Sequence, residues 1–215
     1  MRTDILDIAN PVARSRRGTA VLLSFTAVVA VVFVAVVAMP YFLSSSYGPE
    51  YAAFRGWLLL HVAGGMVALL TGPVQFWLGL ADRGVAWHRR LGLGYITGVG
   101  LGSLGAFYLA RHAQVGWVYS TGLIGLAIAW IATTTLAYLA IRRSLIDQHK
   151  EWMIRSYVVT FAFVTFRVIQ PSLQAAHIGT PSEQFTVAAW ACWAVPLFIT
   201  EFVIQGRKVF AVRPH

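Results

Sequence analysis

The sequence predicts an all-α integral membrane protein, a six-transmembrane helix bundle with both termini cytoplasmic. Three observations carry that expectation. Of 215 residues, 58% are hydrophobic and 12% charged, whereas a soluble domain holds roughly 45–50% apolar and about 25% charged residues. Six stretches approach or exceed the ~20 apolar residues that cross a bilayer core as a helix. The basic residues gather in the connections that fall on one membrane side. A mean hydropathy of +0.66 excludes a water-soluble globule, a disordered chain and a disulfide scaffold. The single cysteine, Cys192, allows no disulfide within the chain.

A basic tail over 1–17 leads into the first span, Gly18–Leu43. An Arg-rich start before an apolar run also resembles a signal peptide. The apolar part of a signal is roughly 7–15 residues, so the longer stretch here predicts a retained anchor. The second span is Arg55–Leu80, the third Leu91–Ala110, the fourth Trp117–Ile141, the fifth Glu151–Ala176 and the sixth Phe185–Gln205. The transmembrane domain is therefore 18–205, with a C-terminal tail over 206–215. The connections Ser44–Glu50 and Ile178–Glu183 are too short to hold a soluble domain.

Fourteen of the seventeen Lys and Arg residues fall on one side. They are Arg2, Arg14, Arg16 and Arg17 in the tail, Arg83, Arg89 and Arg90 after the second span, Arg142, Arg143, Lys150 and Arg155 after the fourth, and Arg207, Lys208 and Arg213 at the end. Arg55 and Arg111 fall on the other side, and Arg167 lies within a span. The excess of basic residues in cytoplasmic loops then places both termini inside, in a multi-pass protein of the cell's inner (cytoplasmic) membrane. Tyr41, Tyr47, Tyr51, Trp57, Trp87 and Trp152 fall where interfacial aromatics belong. The net charge of +9 is thereby explained without a nucleic-acid partner.

Ionisable residues at a helix centre cost roughly 2.5–3.5 kcal/mol on insertion scales, which makes each a candidate for function. His61, His112 and His177 fall toward the outer face, and His88 and His149 toward the inner. Imidazoles are common axial ligands of haem, and helical bundles build cofactor sites from facing helices. His61 is the deepest of the five. On its stripe of the second span follow Gly65, Ala68, Gly72 and Gln75, a groove of small residues that could take a flat macrocycle or admit a neighbouring helix. Gly94, Gly98 and Gly102 form a second ladder on the third span. Interfacial placement alone also accounts for His88, His112, His149 and His177.

Arg167 has no carboxylate at its own depth and needs a carbonyl cluster, water or an acidic ligand group. Pro171 should kink the fifth span just beyond it. Arg155 and Glu201 lie at similar depth and are expected to form a structural ion pair. There is no Gly-rich phosphate loop, Cys-x-x-Cys pair, zinc-type His pair or credible Ser/His/Asp set, and no lysine lies deep in a span.

The order of His61 with Gly64 and Gly65, Gln75, then His88-Arg89-x-Leu91-Gly92-x-x-Tyr95, and His149-x-x-Trp152-Met153-x-Arg155-x-Tyr157 with Arg167 resembles the DUF2306 family of bacterial multi-span membrane proteins. The resemblance runs from the second span to the fifth and implies a helical membrane bundle without assigning an activity. The architecture is similar, more loosely, to the di-haem bundles of the cytochrome b561 and ferric-reductase group. Against that pattern, the fourth span has no histidine, and His88 and His112 are about 36 Å apart at helical rise.

Three functions follow as expectations. One is a haem b protein passing electrons to or from a quinone or another carrier, possible as an oxidoreductase component, with His61 as iron ligand, His112 or His177 opposite, His88 and His149 at an inner haem or quinone site, and Arg167 neutralising an acid. The second is a transporter using Arg167 and Glu201. The third is a structural or accessory subunit. Glycine faces could serve a partner subunit or a homo-oligomer within the lipid bilayer.

Overall fold

In hydrocarbon no water can satisfy a backbone N–H or C=O, so each crossing segment must close its hydrogen bonds within its own helix. The computed structural model of the chain describes residues 11–43, 52–81 and 84–211, with side chains from Gly18 to Phe210. All six predicted stretches fold as helices: Gly18–Leu43, Arg55–Ala81, Val85–Arg111, Trp117–Arg142, Ile146–Ala175 and Pro181–Phe210, each long and apolar enough to cross a membrane. Arg2, Tyr47, Tyr51, Arg83 and Arg213, named above for charge or interface position, lie outside the described residues.

Some boundaries differ from the sequence reading. The first helix begins at Pro11, inside the stretch read as tail. The third begins at Val85 and the fifth at Ile146, while the sixth runs from Pro181 to Ala211. An apolarity criterion stops where Trp87-His88-Arg89-Arg90 and Asp147 to Glu151 turn polar, but a helix need not stop there. Gly84 turns the chain into the third span at a left-handed φ of 71°, which glycine adopts without a Cβ clash. His88 and His149 accordingly stand inside helices.

Lipid tails are as apolar as leucine, so close packing and interhelical hydrogen bonds hold the spans together. The second and third spans touch backbone to backbone. A Cβ on Gly64 would run into the Gly98 carbonyl and the Gly102 backbone, and one on Gly98 would lie 2.9 Å from the Gly64 carbonyl oxygen. Gly94, on the same ladder by spacing, has nothing within 4 Å. The stripe below His61 faces the fifth span: Gly65 lies against the Phe163 ring and Gly72 against the Tyr157 ring.

A buried polar cluster joins the third, fourth and fifth spans. The Tyr95 hydroxyl is 2.8 Å from both Ser156 Oγ and Thr160 Oγ1. Trp130 Nε1 donates to Thr160 Oγ1 at 2.7 Å, and Thr134 Oγ1 is 2.7 Å from Ser156 Oγ. Thr160 also donates to the Ser156 carbonyl, the i−4 bonding that bends helices. The fifth span is divided right after it, into Ile146–Thr160 and Ala162–Ala175. The second part of the span then continues as helix through Pro171. Thr160, at its foot, is tethered on three sides.

The first span is held least. Of its most apolar stretch 11% is buried, against 33–39% for the second to fifth spans. Ala30 and Val34 pack on Leu69. From Val34 to Ala38 the helix widens to a π-turn, with Met39 N–H donating to the Val34 carbonyl. Pro40 follows, without an N–H to carry the ladder on.

Candidate functional site

Residues from all six spans line a central cavity of about 430 Å³, between the middle of the bundle and the end opposite the basic loops. Its walls are mainly apolar, with Leu69, Trp130, Val159 and Cys192 toward the middle. Tyr41, Tyr119, Arg167 and Phe185 mark the far end. The volume lies within the roughly 300–1,000 Å³ of small-molecule sites, which combine apolar walls with a few placed polar groups.

His61 is one such group. Its Nδ1 donates to the Gly102 carbonyl at 2.8 Å, and its ring packs on Phe163 at 5.1 Å between centroids. A carbonyl can only accept, so Nδ1 carries the hydrogen and the neutral ring keeps its lone pair at Nε2. Gly105 makes this placement work, because a Cβ there would meet the His61 backbone and Cβ at 2.8 Å. The third span's small residues thus admit the imidazole between helices.

Arg167 is exposed at the cavity rim, and its Nη2 donates to the Tyr41 hydroxyl at 2.9 Å. No carboxylate among the described residues forms an ion pair with it. Pro171 lacks the N–H that would bond the Arg167 carbonyl, four residues back. The cation and the first span's end thereby meet through one phenol.

His112 and His177, expected toward the same face as His61, lie elsewhere. His112 Nδ1 donates to the Tyr108 carbonyl at 2.8 Å, and its ring stacks on Tyr108 and tilts against Phe54. His177 ends the fifth span at a φ of 54° and borders a polar recess with Gln170, Gln174 and Gln184. Neither lines the central cavity.

At the basic end the structure brings His88 and His149 together, with ring centroids 6.4 Å apart and planes at 76°. His149 Nδ1 donates to the Ala137 carbonyl at 2.9 Å. Gln75 Nε2 donates to the His88 backbone carbonyl at 2.8 Å, while His88 Nδ1 is buried without a hydrogen-bond partner. Arg155 and Glu201 also meet, Nη2 to Oε2 at 2.6 Å and Nε to Oε2 at 2.7 Å. Glu151 adds Arg155 at 3.6 Å and Lys208 at 2.8 Å, and the Arg155 guanidinium lies 4.6 Å over the Trp152 ring. Glu201 and Arg167 are thus at opposite ends of the bundle and share no site.

These positions bear on the cofactor reading. The groove of small residues below His61 is filled by Phe163 and Tyr157, leaving no flat slot against that helix. His61 is the one histidine lining the cavity among the described residues, so no opposed pair of axial imidazoles is assembled there. No group of three or more His, Cys, Asp or Glu side chains among the described residues could hold a metal ion. The donor set present does not fit a bis-histidine haem in the cavity.

Sequence reasoning passed over the cavity walls and the cluster of Tyr95, Trp130, Thr134, Ser156 and Thr160. Tyr95 and Tyr157 were visible as motif positions, but nothing in their spacing assigned them partners.

Among known proteins, a family model described as "Predicted membrane protein (DUF2306)" matches residues 58–204. The match takes in the second to sixth spans almost whole, with His61, Arg155, Arg167 and Glu201 inside it. No curated protein and no solved structure matches the chain. With more than half its length matched by that model, the chain belongs to the DUF2306 family of predicted membrane proteins.

Proposed function

We propose that this protein binds a small, membrane-partitioned molecule in its central cavity, as a carrier or transporter in a cytoplasmic membrane. The observation behind the reading is the cavity itself: about 430 Å³, bordered by all six spans, mainly apolar, with His61 and Arg167 among its few polar groups. A bundle that only needed to pack would gain dispersion energy by filling such a space, since a void forfeits contacts for every lining atom. Apolar walls favour a ligand that partitions into lipid, and the Nε2 lone pair of His61 can accept a hydrogen bond from it.

The test is extraction of the purified protein followed by mass spectrometry of co-purifying small molecules, comparing wild type with Val62→Trp. Val62 lines the cavity and is partly buried, so an indole there fills space with little change to helix contacts. A molecule retained by wild type at near one per protein and lost from the variant supports the reading. No retained molecule, or equal retention by a well-folded variant, overturns it.

A further inference from the structure

We infer that the cavity ligand carries an oxyanion head on an aliphatic body, and that it enters from the lipid between the outer ends of the first and fifth spans. The inference rests on the reading that the cavity binds a ligand. It concerns the ligand's charge and its route.

The charge follows from Arg167. Arg167 borders the cavity, and its guanidinium donates to the neutral Tyr41 hydroxyl, with no carboxylate of the described residues in ion-pair distance. The carboxylate-bound cations of the bundle lie at the basic end, where Arg155 has Glu201 and Glu151 and Lys208 has Glu151. Arg142 there also meets a phenol, that of Tyr138 on its own helix, but away from the cavity. An arginine fork presents five donors and matches a carboxylate or phosphate with two parallel bonds. One phenol occupies only part of that capacity. An anionic head at Arg167 would leave an aliphatic body to run inward past Leu69 and Val159, where the lining is apolar.

The route follows from the first span. It packs on the second around Ala30, Val34 and Leu69 and is buried less than any other span. Beyond Val34 its π-turn lines the cavity through Val34, Val37 and Ala38. Nearer its end, the Tyr41–Arg167 hydrogen bond ties it to the fifth span. The same two side chains therefore border the cavity and bridge the spans beside it. An oxyanion arriving from the headgroup region would compete with the phenol for the guanidinium, so loosening the bridge and binding the head become one event. The rival route, from the water-facing recess of Gln170, Gln174 and His177, is separated from the cavity by Phe185, which lines both.

Two measurements on the full chain in lipid nanodiscs test this. The first is equilibrium binding of radiolabelled oleate, competed with oleyl alcohol and with phosphatidylglycerol, for wild type, Arg167→Gln and Arg167→Lys. The expected result is at least tenfold weaker oleate binding in Arg167→Gln, partial recovery in Arg167→Lys, and unchanged competition by the alcohol. Competition by phosphatidylglycerol as strong as by oleate identifies a phospholipid head as the source; oleate alone identifies a free carboxylate. Equal affinity for acid and alcohol, or no effect of Arg167→Gln, overturns the charge assignment while leaving a cavity that binds neutral molecules. No binding of any probe counts against the cavity reading itself.

The second measurement needs no ligand. Cys192 is the chain's sole thiol, buried and on the cavity wall. Tyr41→Phe removes the bridge and keeps the ring. It should raise the rate of Cys192 modification by lipid-partitioning N-phenylmaleimide several-fold and leave that of a permanently charged methanethiosulfonate unchanged. An unchanged maleimide rate, or an equal rise with the charged reagent, overturns lateral access; the latter would assign the route past Phe185, tested by Phe185→Ala.

Discussion

The Tyr157 ring occupies the space that a side chain on Gly72 would need. An added Cβ there would overlap the ring edge, and the Tyr157 hydroxyl reaches on to donate to the Leu69 carbonyl at 3.2 Å. The second and fifth spans are therefore fitted by a glycine and an aromatic. An identical stripe without that ring would be an open groove.

Gly72→Ala is expected to destabilise the bundle even though alanine is the better helix former by roughly 0.5–1 kcal/mol. Overpacking of a tight interior costs typically 1–3 kcal/mol, and the displaced atoms belong to a ring buried on several sides. Thermal unfolding in detergent should show a lower midpoint for Gly72→Ala and partial restoration in Gly72→Ala with Tyr157→Leu. A midpoint at or above wild type in the single variant would mean that the ring moves aside freely.

That pair also shows what the sequence could and could not carry. The six spans were legible because apolar length is a one-dimensional property. Arg155 and Glu201 were legible as a pair because charges are costly in lipid and their depths along two helices match. The stripe of Gly65, Ala68 and Gly72 was legible as a groove, but its occupant was not, since nothing in the spacing of Phe163 or of the motif's Tyr157 aims either ring at that stripe. The hydroxyl cluster escaped for a related reason. Ser, Thr, Tyr and Trp carry no charge to flag them, and only the helix rotations bring Tyr95, Trp130, Ser156 and Thr160 together. The break at Phe161 has no proline or glycine beside it.

Hydrogen counting predicts an order of effects in that cluster. Trp130 Nε1 can only donate, and each hydroxyl has one hydrogen. With the Thr160 hydrogen on the Ser156 carbonyl, Tyr95 must donate to Thr160 and accept from Ser156. Tyr95→Phe therefore breaks two bonds and Trp130→Phe one. Interhelical bonds in membranes average about 0.6 kcal/mol and reach about 1.7. The loss for Tyr95→Phe should be roughly twice that for Trp130→Phe in the same thermal assay. Equal losses would mean that one of the two Tyr95 contacts contributes nothing.

The ion cluster at the basic end predicts an asymmetry. The Arg155 side chain is 7% exposed and that of Glu201 43%. Glu201→Gln leaves a buried guanidinium with Glu151 at 3.6 Å as its remaining carboxylate. Arg155→Leu leaves a carboxylate that can turn to water, still bonded to Gln205 at 2.7 Å. Breaking a fully buried pair costs about 3–5 kcal/mol. This half-exposed pair should cost less, with Glu201→Gln the more damaging change. If Arg155→Leu proves the worse, the contact over Trp152 outweighs the ion pair.

His88 and His149 face each other, yet their attachments differ. His149 holds the fourth span through its ring, by the bond from Nδ1 to the Ala137 carbonyl. His88 is held through its backbone carbonyl, which accepts from Gln75, itself buried. Removing the His88 ring leaves that bond intact and takes away a nitrogen that had no partner. His149→Ala should therefore lower the unfolding midpoint, by an amount in keeping with one interhelical bond of about 0.6 kcal/mol plus lost ring contacts, while His88→Ala should stay near wild type. Gln75→Leu should resemble His149→Ala, because it removes the one interhelical bond that the His88 carbonyl accepts beside its intrahelical one. Equal losses in His88→Ala and His149→Ala, with no added loss in the double variant, would instead show that the two imidazoles act as one unit at this end of the bundle.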